Sequence, residues 1–268
     1  MRRQWLNGRM GFRGTGSYPS GDTSLGVPDT IPDLFAWYRG DYGITLNGSN
    51  VSAWADQAPL PTAQDATQGT AANQPPYVAT DANYNGNSYV GPLDGTADYL
   101  TAGAAADWEF LHTGAGMTIA MVFRTGALGA IRRLFDNING TSTALGITCL
   151  YTSASPAALS VVIGNGAATV VSASTAASLT ATTTYRLIFR HATANTPDWD
   201  LSLNGVTTTG NNAAAPGSGA AAATLNIGRR TGAIQWFDGS FAEIAIYNRS
   251  ISDAEKTTLN NYLVTRYF

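Results

Sequence analysis

Charge is scarce in this 268-residue chain: only 12% of its residues are charged, and lysine occurs once, at Lys256. Freely diffusing globular proteins carry about twice that fraction. Surface polarity must therefore come from Ser, Thr, Asn and Gly, as it does in adhesins and assembly proteins. The net charge of −3 argues against nucleic acid as a partner of the whole domain, because phosphate recognition needs a basic face. Cysteine occurs once, at Cys149, which excludes disulfides within the chain and cysteine-rich metal sites. It lies in the apolar run Leu145–Tyr151, the setting of a buried, inert thiol. His112 and His191 are the only histidines, and no G-x-S-x-G elbow accompanies either, so a hydrolytic triad cannot be assembled. His191 reads instead as the end of its strand. No apolar run approaches the roughly 18 residues that span a bilayer, and Met1-Arg-Arg-Gln-Trp5 lacks the apolar stretch of a signal peptide. No membrane, cofactor or metal is expected.

What the sequence does contain is strand pattern. Met117, Ile119, Met121 and Phe123 alternate with Thr118, Ala120, Val122 and Arg124, giving a strand with one strongly apolar face. Gly164-Asn-Gly166 joins two further apolar runs and predicts a hairpin, and Asn204-Gly205 is the strongest hairpin signal in the chain. The ending differs. Phe241–Tyr247 reads as a strand, and Ser252-Asp-Ala-Glu255 fits a capping box in which Ser252 and Glu255 satisfy each other's amides. Leu259, Tyr262, Leu263 and Tyr267 follow at helical spacing, predicting a short terminal helix that acts as a lid. The fold class expected is all-β: a two-sheet antiparallel jelly-roll sandwich with a short C-terminal helix and an extended N-terminal arm.

The expected organisation is an arm over residues 1–30 and a domain over 31–268. Arg2, Arg3, Arg9 and Arg13 precede any acidic residue and stand among glycines, with Trp5 and Phe12 scattered through. Such a segment cannot bury a core by itself. Three roles stay open for it: docking on a neighbour, folding back on its own domain, or touching nucleic acid.

Several motifs then resemble a known family. Leu34-Phe-Ala-Trp-Tyr38, Val51-Ser-Ala-Trp-Ala-Asp56, Asp94-Gly-Thr-Ala-Asp-Tyr-Leu100, Trp199–Gly205 and Phe237–Arg249 occur in order across residues 31–268. Together the set resembles the laminin-G-like, concanavalin A-like lectin/glucanase jelly rolls, of the kind found in bacterial secreted proteins and phage virion proteins. The resemblance implies the fold, but that fold hosts lectins, hydrolases and structural modules alike. Glucanase relatives carry two glutamates in an E-x-D-x-x-E strand motif, whereas here Glu109, Glu243 and Glu255 are widely separated. The compact Asp/Asn/His set that binds metal in legume-lectin-like relatives is not found either.

Two candidate sites follow. Asp198 and Asp200 share a strand face and read as solvated residues beginning a hairpin, with metal binding the sharper alternative. Arg186, Arg190, Asp200 and Ser202 would share the outer surface of one sheet if their strands are neighbours. That face could hold a glycan or partner, or be plain solvent surface. Trp236 is the tryptophan expected to be exposed, while Trp37 and Trp54 are expected in the core. The resulting expectation is a non-enzymatic bacteriophage virion protein, for capsid decoration or a head or tail fibre. It would be assembled in the host cytoplasm, displayed on the virion surface as a homo-oligomer, and anchored by its arm to the major capsid protein or tail subunits. The alternative is a glycan-binding adhesion module for a cell-surface glycan. A polysaccharide-degrading enzyme is the third reading.

Overall fold

The computed structural model describes residues 27–59 and 63–268. The expected arm residues Arg2, Arg3, Trp5, Arg9, Phe12 and Arg13 lie outside that range. In chain order the elements are α1 (Val27–Thr30), β1 (Leu34–Arg39), β2 (Ile44–Asn47), β3 (Asn50–Trp54), β4 (Ala66–Thr67), β5 (Tyr77–Asp81) and β6 (Asn87–Asp94). Then come β7 (Leu100–Ala102), β8 (Met117–Thr125), β9 (Arg132–Asp136), β10 (Gly146–Tyr151), β11 (Ala157–Gly164) and β12 (Thr169–Leu179). The chain closes with β13 (Thr184–His191), β14 (Trp199–Leu203), β15 (Val206–Gly210), β16 (Leu225–Ile227), β17 (Asp238–Tyr247) and α2 (Asp253–Tyr267).

These strands form two antiparallel sheets. One runs β15-β14-β13-β8-β17-β6-β5, with β1 added along β17; the other runs β12-β11-β10-β9-β16-β7-β4-β3-β2. Between them lies the main core, to which β8 gives Met117, Ile119, Met121 and Phe123 and β10 gives Ile147, Cys149 and Tyr151. The jelly-roll sandwich expected from the alternation is therefore the observed fold. Asn204 (φ 50°) and Gly205 (φ 87°) make the tight β14–β15 turn, where two successive positive φ values match the strand twist.

A second apolar layer lies on the outside of the first sheet. Ala120, Val122, Ile188 and Ala245 pack there against Leu259, Leu263 and Tyr267 of α2. β8 thus has two buried faces rather than the single apolar face its alternation predicts, because α2 covers the side that would otherwise be wet. The helix begins as the sequence predicts: Ser252 Oγ accepts from Glu255 N at 3.3 Å, and Glu255 Oε2 accepts from Ser252 N at 2.8 Å. Burial of each large side chain on its stripe contributes about 1.5–3 kcal/mol. Among the described residues no helix is long and apolar enough to cross a membrane.

Candidate functional site

The face predicted from Arg186, Arg190, Asp200 and Ser202 does form, since β13 and β14 pair with Arg190 opposite Asp200. Its charged groups, however, hold the terminal helix. Arg190 Nε donates to Asp200 Oδ2 at 2.7 Å and its Nη2 to Asp253 Oδ1 at 2.7 Å, while Lys256 Nζ reaches Asp200 Oδ1 at 2.7 Å. Arg186 Nε donates to Asn260 Oδ1 at 2.8 Å. Asp200 is only 8% exposed, which corrects its reading as a solvated residue: a carboxylate held by two cations is buried with them. Asp198 is half-buried at the entry to the hairpin and accepts from Asn212 N at 2.8 Å. What stays open beside Ser202 is a shallow depression of about 300 Å³ between the β14–β15 turn and α2. A second hollow, about 160 Å³, holds Arg124 with Asp81, Tyr89 and Asp238.

The same helix-covered face explains Glu243. Its carboxylate is 1% exposed and accepts from Trp37 Nε1 at 2.7 Å and Tyr267 Oη at 2.6 Å, with Tyr262 Oη 3.1 Å from both oxygens. Burial pushes its pKa up, against the downward pull of the Tyr267 and Trp37 hydrogen bonds and of Arg266 and Arg39. Glu255 serves the cap and Arg249, which hold its pKa down at about 2. Glu109 accepts from Gly219 N at 2.7 Å. All three glutamates are thus engaged in holding the fold.

The second sheet presents a different surface. An in-register row crosses it through Thr67, Thr101, Asn226, Asp136, Thr148, Val162 and Ser172. Their strand neighbours Ala66, Leu100, Ala102, Leu225, Ile227, Phe135, Cys149, Val161, Ile163, Val171 and Ala173 point into the core, so this row faces outward. Over its middle lies the β16–β17 loop, residues 228–237. Thr231 N donates to Asp136 Oδ2 at 3.1 Å and Asn226 Nδ2 to Thr231 Oγ1 at 3.1 Å, which pins the loop to the row. Gly228 (φ 92°) starts the loop in the left-handed region, where an L side chain is strained, and a Cβ there would also press on Leu93 Cδ2 at 2.3 Å.

That loop carries Trp236. Trp37, Trp54, Trp108 and Trp199 are buried, whereas Trp236, expected to be exposed, is half-buried: the most accessible tryptophan among the described residues, but packed on its own loop. Its ring sits 5.7 Å from that of Tyr99, and the Arg229 guanidinium stacks 3.3 Å above the Tyr99 ring and 5.2 Å from Trp236. Arg132 Nη1 donates to the carbonyls of Gly95 (2.8 Å) and Trp236 (3.0 Å). Arg133 Nε donates to Gln235 Oε1 at 2.9 Å, and Arg230 donates to the Gly140 carbonyl. Burial lowers the pKa of Arg229. It lowers that of Arg133 too, where repulsion from Arg230 adds to it and Asp136 opposes it. Tyr99, Arg229, Arg230, Arg132 and Arg133 were not singled out from the sequence. The available signal was two Arg-Arg pairs, Arg132-Arg133 and Arg229-Arg230, in a chain poor in cations. Chemically this is an aromatic and guanidinium platform; of the row beside it, Asn226, Asp136 and Thr148 are buried under the loop, while Thr67, Thr101 and Ser172 stay accessible. Among the described residues no cluster of His, Cys, Asp and Glu is fit to hold a metal ion.

A sandwich of two antiparallel sheets closed by a terminal helix is a lectin-type jelly roll. The family model of the concanavalin A-like lectin/glucanases superfamily matches residues 94–255, more than half of the chain, and the chain belongs to that superfamily. A search of curated proteins finds no match. Among solved structures the chain is similar to the Trypanosoma rangeli sialidase in complex with 2,3-difluoro-KDN. The identity is 16% and the TM-score 0.57, over 93% of this chain and 36% of that one. The same sialidase in complex with sialic acid gives 14% identity and a TM-score of 0.55, over 88% and 34%. The NanB sialidase of Streptococcus pneumoniae gives 19% identity over 54% and 24% of the two chains, at a TM-score of 0.46. The chain spans about a third of the length of the T. rangeli sialidase chains it matches. At these identities the likeness is one of fold. The expectation of a non-enzymatic virion structural protein is overturned: the family is one of lectins and glucanases, and the solved structures similar to the chain include sialidases. The superfamily contains enzymes and non-enzymes, so membership alone assigns neither role.

Proposed function

We propose that the chain is a glycan-binding module that holds its ligand on the outer face of the second sheet, at Trp236, Tyr99 and Arg229. The observation that carries this reading is the stack of the Arg229 guanidinium on the Tyr99 ring with Trp236 alongside, at the edge of an outward polar row. Sugar rings bury their C–H faces on aromatic surfaces while their hydroxyls take up directed polar partners. The family supports the same substrate class. The reading concerns binding: Glu109, Glu243 and Glu255 are each engaged in holding the fold and take no part in the platform. On the opposite face Arg186, Arg190 and Asp200 serve to seat α2, and Ser202 lines the shallow depression beside it. A glycan array probed with the purified chain tests the proposal. Binding that falls about tenfold or more in Trp236→Ala, as loss of an aromatic anchor predicts, supports it. An array without a bound glycan refutes it.

A further inference from the structure

The two outer faces of the sandwich treat their cations differently. On the helix side five of the seven cations, Arg39, Arg190, Arg249, Arg266 and Lys256, pair with a carboxylate within 4.0 Å, while Arg186 donates to the Asn260 amide and Arg124 makes no ion pair among the described residues. Around the β16–β17 loop, Arg132, Arg229 and Arg230 meet only neutral oxygens among the described residues: the Gly95 and Trp236 carbonyls, the Asn226 amide and the Gly140 carbonyl. The fourth arginine there, Arg133, touches Asp136 at 3.4 Å, but that single carboxylate is wholly buried and also accepts from Thr231 N. The acids at the neighbouring turns are occupied by the backbone. Asp94 Oδ1 accepts from Thr96, Ala97 and Asp98 N, and Asp238 Oδ2 accepts from Ala127 N. Four guanidiniums therefore converge on one loop, in a protein of net charge −3, with one carboxylate in ion-pair contact among them. Crowding them costs energy that an arriving anion would return, and guanidinium is the side chain best shaped for oxyanions.

We infer that the ligand is an acidic glycan, whose carboxylate or sulfate oxygens engage Arg229 and Arg230 while its ring lies on Trp236 and Tyr99. The inference rests on the glycan-binding reading and narrows its substrate class. Both anions share the chemistry of a compact, negatively charged oxygen group, and matched ligands separate the two.

The test is an array that carries neutral, carboxylated and sulfated forms of the same backbones, followed by titration calorimetry with the best matched pair. Binding of a carboxylated or sulfated form about tenfold or more tighter than its neutral counterpart is expected, weakening further as salt is raised. Arg230→Gln and Arg229→Gln should lose that preference. Arg230→Lys should keep most of it, and Arg124→Gln, the same charge change on the other sheet, should leave it intact. Thermal melts identify any variant that fails to fold, and for such a variant the salt dependence of the unmodified chain decides. Neutral glycans bound as tightly as acidic ones overturn the acidic preference and leave the glycan-binding reading standing. An array with no bound glycan at all removes both.

Discussion

Glu243→Ala should be among the most damaging single substitutions on the helix side of the molecule. The carboxylate is the shared acceptor for Trp37 Nε1, Tyr267 Oη and Tyr262 Oη, and Arg266 Nε lies 3.8 Å away. Truncation strands the Trp37 and Tyr267 donors, whose side chains are almost fully buried, and leaves Arg266 without that neighbour. A stranded buried donor costs about 1–3 kcal/mol, and breaking a buried charged cluster from one side costs about 3–5 kcal/mol. The whole domain has only about 5–15 kcal/mol to lose. Glu243→Gln keeps the volume and one acceptor oxygen, so its cost should be about 1–2 kcal/mol. The pH dependence adds a sharper check. Burial raises the folded pKa of Glu243 above its unfolded value of about 4.3. Its share of stability is therefore complete below that unfolded value and is lost as pH rises through the folded one. Glutamine does not titrate, so the gap between the wild type and Glu243→Gln should shrink as pH rises. Urea unfolding midpoints at several pH values measure it. A Glu243→Ala loss below about 1 kcal/mol, or a gap that widens with pH, refutes the clamp as described.

Two further outcomes follow from the turns. Asp98, 8% exposed and beside Asp94, has its pKa pushed up to about 6 by burial and then by Asp94. Its contribution to stability is complete below an unfolded pKa of about 3.9 and is lost as pH rises through about 6. Asp98→Asn should flatten stability over that window, and an NMR carboxyl titration midpoint below about 4.5 would contradict the assignment. Gly205→Val forces a branched side chain to φ 87° in the β14–β15 turn, so the melt should show a loss of about 1–2 kcal/mol, and an unchanged melt would argue against that turn.

Much of the fold was legible because its signals are local. Asn204-Gly205 encodes its turn within two residues, and Ser252 with Glu255 encodes the helix start within four. The alternation of β8 marked a strand but not its second buried face, because what covers Ala120 and Val122 arrives from α2, more than a hundred residues later. The same distance misdirected the site. Arg186, Arg190, Asp200 and Ser202 do gather on neighbouring strands, yet sequence does not tell which outer face a terminal helix will cover, and α2 covers theirs. Trp236 was legible from its flanking polar turn. Its partners were not, since Tyr99, Arg132 and Arg229 meet only through the pairing of β16 with β7 and β9, a register set between segments far apart in the chain.

The most direct measurement is the affinity of the purified chain and of Trp236→Ala for the glycan that binds best on an array. The account predicts a saturable complex for the unmodified chain and a roughly tenfold or greater loss in the variant, measured at a temperature where its melt shows it folded. Equal affinity in the two proteins would contradict the placement of the site on the second sheet.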